Sequence, residues 1–199
     1  MKTKVLLFFV LSSLLACGSK NSAEPTPSDS TPFSLNGLSG EYVNLCESED
    51  GFSYQELISF QGAQMKMQNF IYFGEQCARP LLYGQYDRAF ISFEVKDSSE
   101  LPGYREYILK QESYTFTPTS VDAVSSFNKQ VHFDYTDWQL NTPKDIAGRA
   151  FSKKGKPKRQ NGSHLTYTII SQGNDLQFAT YVNDKAAVSN DPSLKYSRR

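Results

Sequence analysis

The sequence is poor in the residues and motifs that usually mark catalysis. Its 199 residues include only two histidines and three cysteines, and they contain neither a Cys-x-x-Cys pair nor a Gly-x-Ser-x-Gly turn that would present a serine nucleophile. We therefore expect no metal and no cofactor. A hydrolase remains the alternative, because paired carboxylates meet in space rather than along the chain.

Charge of one sign and long apolar runs are also missing. Basic and acidic residues both number 21, so no overall field attracts nucleic acid, and we expect no nucleic-acid partner. The apolar run near the N-terminus is about a dozen residues long, whereas roughly 20 are needed to span a bilayer as a helix. A retained transmembrane helix is the weaker interpretation of that run.

The N-terminus has the order of a secretory signal. Lys2 and Lys4 precede an apolar segment that ends in the small residue Ala16, directly before Cys17. The tetrapeptide Leu14-Leu15-Ala16-Cys17 resembles the lipobox of bacterial lipoproteins. This resemblance implies that residues 1–16 are removed as a signal peptide, that Cys17 takes a diacylglycerol, and that the new N-terminus receives an acyl chain such as palmitate. An ordinary secretory signal ending beside a cysteine is the other interpretation.

The lipobox resemblance also implies a location. Two or three acyl chains anchor a protein stably, at about 0.8 kcal/mol per buried CH₂ group, so membrane lipid is the partner expected through Cys17. Gly18 and Ser19 follow without the aspartate that commonly retains such proteins in the inner membrane. We expect attachment in the cell envelope, at the outer membrane if the host has one. Residues 17–32 are polar and predict a disordered tether.

Residues 33–199 are predicted to form a single β-rich domain, with a disordered C-terminal tail from about residue 185. Fourteen Phe and twelve Tyr recur in short runs bounded by turn residues, which favours strands. Ala89, Ile91, Phe93 and Val95 alternate with Arg88, Ser92 and Glu94 and are predicted to face inward, although Phe90 breaks the polar face. One helix is predicted over residues 120–129, with Thr119 or Ser120 as its N-cap. Met65, Met67, Ile71 and Phe73 share a parity that Asn69 interrupts. Further candidate strands cover residues 41–46, 54–60, 104–110, 114–117, 165–170 and 176–182, and Gly173-Asn174-Asp175 is a candidate hairpin turn.

These elements predict a mainly β fold, either an antiparallel barrel or a two-layer sheet with one short helix. Residues 37–42, Gly-Leu-Ser-Gly-Glu-Tyr, resemble the opening strand of lipocalin-like barrels, although Tyr42 stands where lipocalins have tryptophan. Two further features are similar to those of uncharacterised envelope lipoproteins. They are the positions of Cys46 and Cys77, and the pair Phe127-Asn128 followed by Asp137-Trp138. The resemblance implies a lipocalin-like barrel and supplies no activity.

Cys46 and Cys77 are the two cysteines that remain once Cys17 carries lipid. In an oxidising envelope compartment a disulfide between them is the economical interpretation. The chain-entropy model gives such a bond about 3 to 4 kcal/mol of stabilisation. A catalytic thiol is the alternative, and the scarcity of histidine argues against it.

Two short constellations are candidate sites. His132, Asp134 and Asp137 lie within six residues, and a strand would place the first two on one face, as a metal or an acid–base pair requires. Because a third histidine or cysteine is missing, a buried, hydrogen-bonded His132 is favoured. A catalytic pair at Ser163-His164 is disfavoured, since residues adjacent in sequence seldom face each other. A calcium site at Glu47, Glu49 and Asp50 is also disfavoured, because the spacing of these acidic residues is irregular.

A basic run is the remaining candidate. Lys153, Lys154, Lys156, Lys158 and Arg159 place five positive charges in seven residues, around a glycine and a proline. Such a loop can bind phosphate-bearing headgroups or an acidic partner, and a solvated connection between strands is the alternative. The sequence as a whole therefore predicts a non-enzymatic binding module for a small apolar ligand or an envelope protein, with an envelope hydrolase as the alternative.

Overall fold

The computed structural model describes Leu35 and residues 37–152, 155–182 and 185–199. The predicted signal peptide, Cys17 and the predicted tether lie outside these residues, as do Lys153 and Lys154. Within them the chain forms twelve strands and one α-helix. The strands are β1 (Gly40–Asn44), β2 (Glu47–Glu49), β3 (Phe52–Gln61), β4 (Gln64–Phe73), β5 (Leu82–Asp97), β6 (Arg105–Pro118), β7 (Lys144–Asp145), β8 (His164–Gln172), β9 (Asp175–Phe178), β10 (Thr180–Val182), β11 (Lys185–Ala187) and β12 (Lys195–Arg198), and the helix is α1 (Val121–Gln130).

Eight of these strands close a barrel. The antiparallel pairs run in the order β1, β12, β9, β8, β6, β5, β4 and β3, and β3 then pairs back with β1. Closure leaves no free sheet edge in this ring. β2 and β7 add short pairs to β3 and β6, and β10 and β11 form a separate hairpin. The prediction of a lipocalin-like barrel with one short helix is confirmed.

The first strand begins at a backbone position that suits glycine. Gly40 has a φ of 88°, a left-handed value that residues with a Cβ rarely adopt, and an added Cβ there would lie 3.1 Å from the Arg198 side chain. Tyr42 is then buried and meets Phe60 edge to face, with the ring centroids 5.8 Å apart. Gly40 and Tyr42, which belong to the segment that resembles a lipocalin-like opening strand, thus lie at the start of β1 and in the barrel core respectively.

The inward face of β5 differs from the prediction. Val95 packs against the barrel core as expected, but Phe90 is fully buried there and Phe93 is 38% exposed, so the expected inward placement of Ala89, Ile91 and Phe93 is wrong. The cause is that Arg88, a charged residue, occupies the inner face beside Phe90, so polarity does not separate inside from outside. A register shift between Ser92 and Glu94 then changes which side chains face the core.

The core has two parts. One cluster fills the closed barrel, and it includes Ile58, Met65 and Phe90. The other is aromatic, lies at the opposite end beneath α1, and consists of Phe116, Phe127, Phe133, Trp138 and Ile146. The helix is fixed there by its cap, since the Ser120 side chain accepts a 3.1 Å hydrogen bond from the Ala123 amide. The predicted helix and its serine cap are confirmed.

The chain leaves α1 through a strained turn. Val131 and Phe133 have φ values of 52° and 56°, and such left-handed conformations cost about 1 to 3 kcal/mol each in residues other than glycine. Full burial of Phe133 in the aromatic cluster offsets part of this cost. The strand that would have placed His132 and Asp134 on one face is not formed, because the helix exit bends into a 3-10 turn, His132–Asp134.

The C-terminal region differs from the expected disordered tail. β12 pairs with β1 on one side and β9 on the other, and Tyr196 is buried in the barrel core. The sequence of β12, Lys-Tyr-Ser-Arg, contains no strand pattern because Tyr196 is its one apolar residue. Its ladder partners β1 and β9 are not adjacent to it along the chain. The predicted disulfide partners do meet: the Sγ atoms of Cys46 and Cys77 are 2.18 Å apart and their Cα atoms 5.8 Å.

Candidate functional site

The closed part of the barrel ends where two ladders stop. The β6–β8 ladder ends at Lys110 and His164, and the β1–β3 ladder ends at Val43 and Leu57. Strands β3, β4, β5 and β6 continue beyond this level towards α1. The side chains at and just past this level form what we call the polar layer, which lies where the two apolar clusters meet. It consists of Glu56, Asn69, Tyr86, Arg88, Tyr114 and Lys158, together with Tyr167 and Tyr196 of the barrel cluster.

Glu56 is the carboxylate of the polar layer and is only 7% exposed. Its Oε1 accepts a 2.7 Å hydrogen bond from the Tyr196 hydroxyl, and its Oε2 accepts one from the Asn69 amide. Burial is the largest cause that raises the pKa of Tyr196, followed by the negative charge of Glu56. Both carboxylate oxygens are thus held by neutral donors from β4 and β12.

Arg88 faces Glu56 without a close contact. Its Nη2 lies 3.9 Å from Glu56 Oε2, well beyond the roughly 2.7 to 2.9 Å of a charge-assisted hydrogen bond. No hydrogen bond joins this guanidinium to another of the described residues. The side chain keeps 19% of its surface exposed. Its Cζ lies 5.6 Å from the Tyr114 ring centroid and 5.8 Å from that of Phe90.

The surroundings keep Arg88 charged. Desolvation lowers the pKa of its guanidinium. The nearby phenols of Tyr167 and Tyr114 and the carboxylate of Glu56 raise this pKa by more than desolvation lowers it, so the net direction is upwards. Burial likewise raises the pKa of the Tyr114 and Tyr167 hydroxyls, so these remain neutral donors. The polar layer therefore combines one fixed cation with several neutral hydroxyl groups.

Lys158 brings a second cation to the same place. Its Nζ lies 5.9 Å from the ring centroids of both Tyr86 and Tyr114. Desolvation is the largest cause that lowers the pKa of Lys158, and the positive charge of Arg88 lowers it further. The backbone positions this side chain, because the Lys158 amide donates a 2.7 Å hydrogen bond to the Arg149 carbonyl.

The basic run thus divides between solvent and the barrel. Lys156 and Arg159 are exposed, Lys158 is half-buried against the polar layer, and Lys153 and Lys154 lie outside the described residues. The buried Gln111 side chain holds the loop by donating to the Arg159 carbonyl at 3.1 Å. Anion binding by the run as a whole stays a prediction.

His132 is buried and hydrogen-bonded, as the favoured interpretation has it. Its Nδ1 lies 3.0 Å from the Phe151 carbonyl oxygen, and its ring stacks on the Phe151 ring with centroids 3.9 Å apart. Burial lowers the pKa of this imidazole. Asp134 and Asp137 are exposed, and Asp137 pairs with Lys144. Within the described ranges no three His, Cys, Asp or Glu side chains are grouped for a metal ion.

The other disfavoured constellations lie on the surface. The His164 ring packs against Phe93, with centroids 4.9 Å apart, on the outside of the barrel. Glu47, Glu49 and Asp50 are exposed around the β2–β3 turn. These side chains are separate from the polar layer.

Most members of the polar layer were not among the residues that the sequence singled out. Lys158 alone was named as part of a possible site, and Asn69 was noted only because it interrupts the shared parity of Met65, Met67 and Ile71. That interruption is a usable signal, since a polar residue at an inward position has to meet a partner inside the barrel.

Comparison of the sequence with known protein families found no match, and comparison with curated proteins found none either. No helix among the described residues is long and apolar enough to cross a membrane.

Proposed function

We propose that this protein is a lipid-anchored binding module of the bacterial cell envelope, without enzymatic activity, whose barrel takes a small ligand at the polar layer. The observation that supports it most is that the Arg88 guanidinium, which stands among aromatic rings, makes no hydrogen bond to the described residues. Ligand sites are typically concave and apolar, with a few placed polar groups that fix orientation. Phe90 and Tyr114 supply such walls around Arg88, and Tyr86 and Tyr114 supply them around Lys158.

The same layer argues against the alternative of an envelope hydrolase. Glycoside hydrolysis needs two carboxyl groups, one of them free to give or take a proton. Among the described residues Glu56 is the carboxylate of the polar layer, and both of its oxygens accept hydrogen bonds. Asp87, on β5, faces outward, and its carboxylate lies 3.2 Å from the Lys66 ammonium.

The anchor is tested at Cys17. We expect Cys17→Ser to abolish incorporation of labelled palmitate and to leave an uncleaved precursor or a soluble species, because the thiol is the attachment point that the lipobox implies. The measurement is metabolic labelling followed by membrane fractionation, with Ser19→Ala as the matched control. Labelling that persists in Cys17→Ser would contradict the lipoprotein assignment.

The ligand site is tested with a neutral probe. The chain without residues 1–16, carrying Cys17→Ser, keeps the tether and the whole barrel and needs no detergent. We expect it to bind the fluorophore N-phenylnaphthylamine at micromolar level, or to retain an apolar small molecule visible in native mass spectrometry. Tyr114→Trp, which adds volume at the polar layer, should weaken probe binding about tenfold or more, equivalent to 1.4 kcal/mol.

The matched control for that variant is Ala89→Phe, which adds volume on the outer face of the neighbouring strand β5 and should leave binding unchanged. Wild-type protein that binds no probe and carries no ligand would contradict the proposal and leave the barrel as a surface-interaction module. Equal loss of binding in both variants would place the probe elsewhere and contradict it as well.

A further inference from the structure

We propose that the ligand is an organic anion, with its acidic group held between the guanidinium of Arg88 and the ammonium of Lys158. This inference rests on the proposed function and specifies the chemistry of the same site.

The hydrogen-bond donors of Arg88 point to an acceptor. A guanidinium carries five N–H donors in a planar fork that matches a carboxylate, sulfonate or phosphate. The one carboxylate beside it, Glu56, stands 3.9 Å away and already accepts hydrogen bonds from Asn69 and Tyr196. Charged groups withdrawn from bulk water are normally hydrogen-bonded, so the fork is suited to an oxyanion from outside the chain.

The balance of charge points the same way. Arg88 and Lys158 approach the same ring, at 5.6 and 5.9 Å from the Tyr114 centroid, and the positive charge of Arg88 contributes to the lowered pKa of Lys158. Two cations held together in a poorly hydrated place repel each other, because a low dielectric strengthens the interaction. An anion between them relieves that repulsion and is bound more strongly than it would be at the surface.

The walls specify the rest of the ligand. Tyr86 and Phe116 pack with their centroids 4.7 Å apart, and Tyr167 meets Phe90 edge to face at 5.9 Å, so aromatic rings border the layer on both sides. These surfaces favour an apolar or aromatic body over a sugar or an inorganic ion. The ligand class is therefore an amphiphilic acid with a compact hydrophobic part.

Two fluorophores with closely similar aromatic bodies test this. Anilinonaphthalene sulfonate carries one negative charge, and N-phenylnaphthylamine carries none. We expect the unmutated site to bind the sulfonate about tenfold more tightly than the neutral probe, as a difference of 1.4 kcal/mol in binding free energy. In Arg88→Met and in Lys158→Met this preference should fall below about threefold while the neutral probe still binds. Lys156→Met, from the exposed part of the same run, is the matched control and should keep the preference.

The outcomes separate the two proposals. The anion inference is overturned by equal affinity for both probes in wild type, or by an unchanged preference in Arg88→Met and Lys158→Met. In either case, binding of the neutral probe leaves the proposed function standing. Binding of neither probe overturns both. If Arg88→Met does not fold, Lys158→Met and a competition experiment in wild type test the inference instead. In the competition, benzoate should displace the bound neutral probe and benzyl alcohol should not. The reverse order overturns the inference.

Discussion

Replacing Cys46 and Cys77 by serine lowers the free energy of unfolding by about 2 to 4 kcal/mol, the usual contribution of a native disulfide. The two cysteines are 31 residues apart and connect the end of β1 with the segment that follows β4. The bond therefore restricts the unfolded chain across β2, β3 and β4. For a domain of this size the melting temperature should fall by roughly 4 to 16 °C, which denaturant titration and a thermal scan both measure.

The controls for this prediction use the Cys17→Ser background, so that no third thiol interferes. Reduction of the parent protein should reproduce the loss seen in the double variant, and each single variant should be no more stable than the double. Without reductant, alkylation of the folded protein should modify neither cysteine. Rapid modification of both under those conditions would show that the bond does not form in the protein.

Phe116→Ala is the second large effect, with an expected loss of about 3 to 5 kcal/mol for truncating a buried phenylalanine. Phe116 is fully buried, stacks on Phe127 at 4.5 Å with the ring planes 5° apart, and meets Trp138 edge to face at 5.6 Å. An added Cβ on Gly84 would lie 2.5 Å from Phe116 Cζ, so β5 is shaped around this ring and has little room to collapse into the cavity.

Denaturant unfolding measures this loss, and the near-ultraviolet circular dichroism of Trp138 reports whether the aromatic cluster loosens. Phe93→Ala is the matched control: the same truncation on the outside of the barrel, where the ring is partly exposed, should cost well under half as much. Comparable losses in the two variants would contradict the assignment of Phe116 to the centre of the cluster.

Local patterns accounted for much of the fold. Aromatic runs, the Ser120 cap and the Gly173-Asn174 turn predicted strands, a helix and a hairpin that the structure contains, and the turn joins Gln172 to Asp175 in a direct pair. The segments 104–110 and 114–117 were predicted as two strands but form the single strand β6, because the ladder continues through a register shift near Gln111. Irregular ladders do not interrupt a strand, and sequence alternation does not reveal them.

The candidate site was hidden for a different reason. Glu56 and Arg88 are charged, and charged residues are almost always exposed, so nothing local marks them as inward. Their partner Tyr196 lies 140 residues from Glu56 along the chain. Closure of the barrel brings these side chains into one layer. In the sequence, the inward position of the polar residue Asn69 was the one sign of this layer.

That closure has a consequence for the order of folding. The pairs between β1 and β12 join segments near the two ends of the described chain, so they carry the largest loop-closure entropy and form late. Since β12 also supplies the Tyr196 hydroxyl that holds Glu56, the polar layer is assembled only when this last strand docks. A ligand that binds the assembled layer and not the open one adds its binding free energy to the docking step. In such a barrel the occupied state is also the one in which the first and last strands are hardest to separate.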